Sequence, residues 1–301
     1  MIPITARLPG LASILIGAFC ISFSAVWVKL ASVESTVSAF YRVFFGFLFL
    51  LLICILRGEY HPFNRRHLLW GLVCGLLFAL DLYCWHASIR FVGPGLATIL
   101  GNFQVFVLSA VGVLFLGERL HLRFLLAIPL ALLGLFLLVG GSWQTLAAEY
   151  RWGIVLGLLI ALCYSGFLLI LRQLQTEAGE FSFYYNLMLI SGASALFLGI
   201  FLGGTDTSLA IPDRTSWLSL LALGLLSQTI GWALIAGGMP RMRASLTGFI
   251  LLFQPLLSFL WDVLLFHRPT GMINWAGVAG TLFALYLGME SGRKTPQSNR
   301  A

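Results

Sequence analysis

The sequence predicts an all-α integral membrane protein with ten transmembrane helices arranged as two inverted five-helix repeats. Three observations support this fold class. Only 10% of the 301 residues are charged and 59% are hydrophobic, which is too little charge for the surface of a soluble domain, where about 25% of residues are charged. The apolar residues form long continuous runs, and the second half of the chain repeats the pattern of the first.

Each apolar run is long enough to form a transmembrane helix, because about 20 helical residues cross the roughly 30 Å of hydrocarbon in a bilayer. The connections between the runs are short, so no soluble domain is inserted. We number the predicted helices spans 1 to 10, and they cover residues 9–30, 36–57, 67–89, 94–117, 122–141, 152–173, 181–203, 215–238, 243–266 and 271–290.

The basic residues in the connections predict the orientation of the chain. With the N-terminus inside, twelve Lys and Arg residues lie on the inner side and five on the outer side, while Arg42 lies within span 2. Cytoplasmic loops of membrane proteins carry such an excess of positive charge. We therefore expect a multi-pass protein of the cytoplasmic (inner) membrane with both termini in the cytoplasm.

An internal repeat divides the chain into two halves. Shifting residues 81–140 by 150 positions places spans 4 and 5 on spans 9 and 10, and Phe103-Gln104 then falls on Phe253-Gln254. An odd number of spans in each half makes the second half enter the membrane from the opposite side, as in many secondary transporters. The predicted units are a first repeat, a second repeat and a cytoplasmic C-terminal tail, at residues 9–141, 152–290 and 291–301.

Span 3 carries ionisable residues at a depth where they are costly. Asp81 and Trp85 share one helix face, whereas His86 lies about 140° around the helix from Asp81. Asp81 either couples transport to protons, with His86 as a second candidate, or is the structural partner of Arg42 or Lys29. Trp85, an aromatic residue beside a polar group, is a candidate for contact with an organic or cationic substrate.

Polar residues also occur within spans 2, 4 and 9. Arg42 either extends its side chain to the membrane surface or lines a cavity between the helices. Thr98 and Asn102 lie on one face of span 4, and Gln254 and Ser258 are their counterparts in span 9. These faces either form hydrogen bonds between helices or line a substrate path.

Several function classes are not supported by the composition. The net charge of +7 includes no basic stripe, so nucleic-acid binding is not expected. All five cysteines lie in apolar runs without metal-ligand spacing, so neither a metal nor a cofactor is predicted. Hydrolase and phosphate-binding motifs are missing, which argues against an enzyme. An intramembrane enzyme that uses Asp81 and Asp262 is the less favoured alternative.

The stretch "DLYCWHASIRFVGPGLATILGNFQ", followed by "LFLGERL", resembles the EamA-type branch of the drug/metabolite transporter superfamily. Arg42 in "AFYRVFFG" is similar to an arginine common in the second span of that family. The resemblance implies a cytoplasmic-membrane carrier that moves small metabolites, often outward, through a central cavity. Two segments depart from the family pattern: Gln104-Val105 replaces a common proline, and "FHRPT" at 266–270 replaces a Gly-Glu-Pro corner.

The sequence therefore predicts a secondary transporter, an exporter or exchanger of a small organic metabolite that is amino-acid-like. Its expected partners are this small molecule and the lipid bilayer, and it is expected to act as a monomer or homodimer. A non-transporting membrane scaffold or sensor is the alternative from another class. The residues expected to line the substrate cavity are Arg42, Asp81, Trp85, Thr98, Asn102, Gln254 and Ser258, with Asp81 and His86 as proton-coupling candidates.

Overall fold

The computed structural model describes residues 9–59, 64–118, 120–139, 150–176, 182–267 and 269–293, and within these ranges it contains helices and no strands. In span order, the helices are Gly10–Ser22 and Ser24–Leu30 (span 1), Ser35–Leu56 (span 2), Arg65–Gly101 and Gln104–Leu114 (spans 3 and 4), Leu122–Val139 (span 5), Tyr150–Thr176 (span 6), Phe183–Gly203 (span 7), Arg214–Ala222, Leu223–Gly231, Trp232–Gly238 and Met239–Arg241 (span 8), Ala244–Ile250 and Phe253–Phe266 (span 9) and Met272–Arg293 (span 10).

The helices confirm the predicted multi-pass membrane fold. Seven segments of the described chain are long and apolar enough to cross a membrane, and three shorter apolar helices complete the set of ten. Large apolar side chains point outward from the bundle; Leu126, Ile200 and Phe283 are 61%, 66% and 57% exposed. Side chains of this kind are stable at the surface of a bundle that is surrounded by lipid.

The connection between spans 3 and 4 differs from the prediction, because helical hydrogen bonding continues from Arg65 to Gly101 without the expected loop. This helix is not straight. The indole of Trp85 donates a hydrogen bond to the Thr98 hydroxyl at 3.3 Å, although residues 13 apart in a straight helix lie about 20 Å apart along its axis. The chain therefore reverses direction after Trp85, near the Gly-Pro-Gly sequence at 93–95, and forms the two predicted spans.

Span 6 packs between the two arms of this reversed helix. The Ser88 hydroxyl of the first arm donates to the Gly153 carbonyl at 2.9 Å. The Ser165 hydroxyl of span 6 lies 3.4 Å from the carbonyl oxygen of Gln104, at the start of the second helix of span 4. Cys74 of span 3 donates to the Phe167 carbonyl, and Gly101 of span 4 lies against Ile160. Together with the first two contacts, these show that residue numbers rise in opposite directions along spans 3 and 6 and in the same direction along spans 4 and 6. The two arms run in opposite directions along span 6.

The packing pattern repeats when each span is exchanged with the span five places later. Span 3 packs on span 6, and span 8 packs correspondingly on span 1; span 4 contacts span 6, and span 9 contacts span 1. The pairs 2–7, 4–9 and 5–10 map onto themselves under the same exchange. This is the contact pattern of two inverted repeats related by a pseudo-twofold axis.

The interruptions in spans 4 and 9 repeat as well. Span 4 is interrupted by a turn at Asn102-Phe103 and resumes at Gln104. Span 9 is interrupted at Leu251-Leu252 and resumes at Phe253. The two interruptions match to within one residue in the repeat, so the spans that face each other across the pseudo-twofold axis are both discontinuous.

The ends of the same two spans share an unusual backbone conformation. Gly117 follows span 4 with φ of +64°, and His267 follows span 9 with φ of +51°. Glycine adopts this left-handed region freely, whereas a residue with a Cβ is strained there. His267 thus has the left-handed backbone conformation of the first repeat without its glycine.

We expect His267→Gly to stabilise the protein. Removing the Cβ from a left-handed residue relieves about 1 kcal/mol, which corresponds to a melting temperature about 2 °C higher. Thermal unfolding of the purified protein measures the change. Gly117→Ala is the matched opposite substitution, because a Cβ there meets nothing within 4 Å and only the backbone is strained; it should lower the melting temperature. An unchanged or lower melting temperature for His267→Gly would contradict this account.

Candidate functional site

A partly buried arginine of span 2 points into the bundle. Arg42 lies seven residues into span 2, about 10 Å from the start of that helix, and its side chain is only partly exposed. Its Nε donates to Oε1 of Gln228 in span 8 at 3.1 Å. The guanidinium also lies over the Phe78 ring, 5.8 Å from the centroid. Arg42 therefore points into the bundle toward spans 3 and 8.

Asp81 of span 3 lies in the same region and is 8% exposed. Arg42 and Tyr164 of span 6 both interact electrostatically with it. Among the described residues, none makes a hydrogen bond with the Asp81 carboxylate, and no ion pair within 4.0 Å joins it to Arg42. The Asp81 carboxylate thus lies near the Arg42 guanidinium without an ion pair between them.

Aromatic side chains form the wall around these charges. Phe78 of span 3 and Phe167 of span 6 stack at 4.5 Å between ring centroids. The Trp232 ring of span 8 meets Phe167 edge-on at 4.8 Å, and Tyr164 lies 6.3 Å from Trp232. These rings come from both repeats and form an apolar, polarisable cluster that the Arg42 guanidinium contacts at Phe78.

Two buried side-chain donors lie near this wall. The indole Nε1 of Trp232 and the amide Nε2 of Gln254 make no well-aligned hydrogen bond with any described residue. The Gln254 amide is nevertheless the polar neighbour of the Tyr164 hydroxyl. A buried donor without an acceptor costs about 1–3 kcal/mol, and the Trp232 indole is such a donor within the described part of the chain.

Trp85, Thr98 and Asn102 form a separate hydrogen-bonded group beside the centre. Trp85 lies one helical turn beyond Asp81 and donates to Thr98, while Nδ2 of Asn102 donates to the Thr98 carbonyl at 2.8 Å. The group joins the two arms of spans 3 and 4 and supports the interruption at Asn102. The neighbouring His86 side chain lies outside the described part of the structure.

One end of the bundle closes over the centre through spans 1 and 9. Ser258 and Trp261 of span 9 donate to the carbonyl and hydroxyl of Ser22 at 3.0 and 2.8 Å. Lys29 then pairs with Asp262 at 2.8 Å. Lys29 is therefore not the partner of Asp81, and Asp262 does not form a carboxylate pair with Asp81.

The opposite end is held by Glu118, at the end of span 4. Its carboxylate accepts the backbone N–H groups of Ala244 and Ser245 at 2.7 and 3.3 Å, together with the Ser245 hydroxyl. Free N–H groups at a helix start favour a negative partner. Glu118 therefore caps span 9 from the other repeat and joins the two halves at this end.

Sequence patterns identified Arg42, Asp81 and Gln254, but not Tyr164, Gln228 and Trp232 as their partners. Gln228 had a usable signal, since it is a polar residue in the middle of an apolar span. Tyr164 and Trp232 had none, because aromatic residues are common throughout this chain. The missing information was the crossing of spans 6 and 8 with span 3, which a pattern within one span does not contain.

Comparisons with known proteins agree with this architecture. The family model described as "EamA-like transporter family" matches residues 8–140 and again 151–289. An uncharacterized transporter of Archaeoglobus fulgidus is 28% identical, covering 91% of this chain and 96% of the relative. The uncharacterized transporter YcbK of Bacillus subtilis is 23% identical over 95% of both chains. A crystal structure with 18% identity superposes with a TM-score of 0.75, covering 92% and 98% of the two chains.

Proposed function

Because this chain belongs to the EamA-like transporter family, we propose that it is a secondary carrier that exports or exchanges a small, amino-acid-like metabolite. One observation carries the substrate class: Arg42 and Asp81 lie near each other in the centre without an ion pair between them. Opposite charges inside a membrane normally pair or serve a substrate. A dipolar substrate would satisfy both.

In the proposed binding mode, each part of the substrate contacts a different group of side chains. The carboxylate of the substrate accepts from Arg42, whose guanidinium suits planar carboxylates. Its ammonium group faces Asp81, and the apolar side chain packs on Phe78 and Trp232. Thr98, Asn102, Trp85 and Ser258 remain cavity candidates at the rim, where conformational change would expose them.

In this proposal, the substrate crosses the membrane by alternating access. The carrier lies in the cytoplasmic membrane with both termini inside, and its two repeats open the centre to one side at a time. Opening the first end separates Ser22 and Lys29 from span 9. Opening the opposite end separates Glu118 from Ala244. Contacts between the repeats at both ends support a mechanism in which one set breaks as the other forms.

The binding mode is tested by ligand-induced thermal stabilisation of the purified carrier. The probes are L-phenylalanine and L-leucine, each compared with its carboxamide, which keeps the side chain and the ammonium but lacks the carboxylate. The amino acids should raise the melting temperature and the amides should not. Equal stabilisation by each acid and its amide, or by neither, would refute the proposed role of Arg42.

Proton coupling through Asp81, with His86 as the second candidate, gives a separate prediction. In proteoliposomes, substrate flux through the native carrier should change with pH, because the carboxylate of Asp81 takes up and releases the coupled proton. Asp81→Asn removes that group and should make the remaining flux insensitive to pH. Asp213→Asn, at the start of span 8 and outside the centre, is the control and should keep the native pH profile. A pH-dependent Asp81→Asn carrier would rule out coupling at this residue.

A further inference from the structure

We propose that Gln228 is a positioning residue that sets the orientation of the Arg42 guanidinium and thereby the selectivity for a carboxylate. This inference rests on the proposed function, in which Arg42 receives the carboxylate of the substrate. Gln228 is 2% exposed and lies opposite Arg42 on span 8. It acts through Arg42 and makes no contact with the substrate itself.

The hydrogen bonds of Gln228 leave its amide one orientation. Arg42 is a donor only, so the amide must present its oxygen to Nε, at 3.1 Å. The amide nitrogen then donates to the hydroxyl of Ser191 in span 7 at 3.1 Å. Ser191 is fully buried, which holds the far end of the amide. The chain from Ser191 through Gln228 to Arg42 joins spans 7, 8 and 2.

An irregular helix places Gln228 at this point. Residues Leu223–Gly231 form a π-helix inside span 8, and the Thr229 hydroxyl donates to the Gly224 carbonyl five residues earlier at 2.9 Å. π-helical turns are costly and occur frequently at functional sites. The wider turn changes the direction of the side chains that follow, and Gln228 lies within it.

Span 2 provides the space that Gln228 occupies. Gly46 lies one turn after Arg42 on the same face, and a Cβ at Gly46 would fall 2.3 Å from Cγ of Gln228 and 2.8 Å from its Cβ. Only a residue without a side chain allows this approach. The π-helix directs Gln228 toward span 2, and the missing side chain at Gly46 leaves room for it. Together they bring the amide to Nε of Arg42.

Holding Nε fixes the plane of the whole guanidinium, because its three nitrogens are coplanar. Within the described residues, Arg42 makes this one hydrogen bond, and its two Nη groups remain for a ligand. A carboxylate needs two parallel N–H donors in a fixed plane. Loss of the Gln228 contact should therefore weaken carboxylate binding more than the binding of a neutral analogue.

The test compares the dissociation constants of L-phenylalanine and L-phenylalaninamide for the purified carrier. Gln228→Met keeps the length of the side chain but lacks the amide oxygen. It should weaken the binding of L-phenylalanine about tenfold, the value of one charged hydrogen bond, and leave the dissociation constant of L-phenylalaninamide unchanged. Gly46→Ala displaces Gln228 from span 2 and should produce the same selective loss. Ser227→Ala, in the same π-helix, is the control and should bind both probes as the native protein does.

The outcomes separate this inference from the proposed function. Suppose that the native carrier prefers the acid and that Arg42→Met abolishes this preference. If the Gln228→Met and Gly46→Ala variants then keep the preference, Gln228 does not position Arg42. Equal losses for acid and amide likewise contradict a selective role. If the native carrier itself shows no preference for the acid, the proposed function fails first. Melting temperatures without ligand identify any variant that is unfolded. If either Gln228→Met or Gly46→Ala is unfolded, the binding data of the other variant test the inference.

Discussion

Replacing Arg42 with methionine should abolish transport of the amino-acid-like substrate. The variant keeps an unbranched apolar side chain in span 2 but removes the cation, and the loss of one partner from a buried charged contact costs about 2–5 kcal/mol. Substrate affinity should therefore fall at least about thirtyfold. Counterflow of radiolabelled L-phenylalanine into proteoliposomes, together with its dissociation constant, measures both effects.

The control for this substitution is Arg57→Met. Arg57 lies just after the same span, where it pairs with Glu59 at 2.5 Å and packs over the Tyr184 ring, away from the centre. Flux through this variant should remain close to the native value. An Arg42→Met carrier with native flux and native affinity would show that the arginine in the centre serves the fold instead of the substrate.

The largest effect on stability is expected for Gly134→Ala, between spans 5 and 10. A Cβ at Gly134 would lie 2.3 Å from Oγ1 of Thr281, 2.7 Å from the Thr281 nitrogen and 2.9 Å from the Gly277 carbonyl oxygen. Two of these atoms belong to the backbone and cannot turn away, so the spans must separate. Overpacking of this kind costs about 1–3 kcal/mol, and thermal unfolding of the purified protein should show a lower melting temperature.

Gly280→Ala is the matched control on the facing helix. A Cβ there meets only the Gly134 Cα at 4.0 Å, an ordinary contact, so its melting temperature should change little. Equal losses at Gly134 and Gly280 would show that the close contact at Gly134 is not the cause, because alanine is otherwise the better helix former.

Much of the architecture followed from the pattern of apolar residues. The number of spans, the two halves and the positions of Arg42 and Asp81 depend on hydropathy and charge, which a sequence shows directly. The single helix from Arg65 to Gly101 did not follow, because proline and glycine favour a bend without determining whether helical hydrogen bonding continues through it. The π-helix of span 8 could not be predicted either, because the composition of this span does not specify which helical hydrogen bonds form.

The candidate site was predictable only as separate residues. Cross-span contacts such as Arg42 to Gln228 depend on the relative rotation of two helices, and apolar periodicity does not specify rotation in lipid, where all faces are apolar. Ser258 illustrates the limit. Its polar face on span 9 was recognised, but whether it contacts span 1 or a substrate depends on that rotation, and the structure shows a hydrogen bond to Ser22.

The exchange of spans between the halves has a consequence for folding and evolution. Span 1 packs chiefly on spans 8 and 9, and span 6 packs chiefly on spans 3 and 4, so each half lends its first helix to the other. The two halves are thus interlocked like a domain-swapped dimer whose subunits have been fused. A half synthesised alone would lack the first helix of the other half, on which its own third and fourth spans pack, so we expect the whole chain to be the unit that folds.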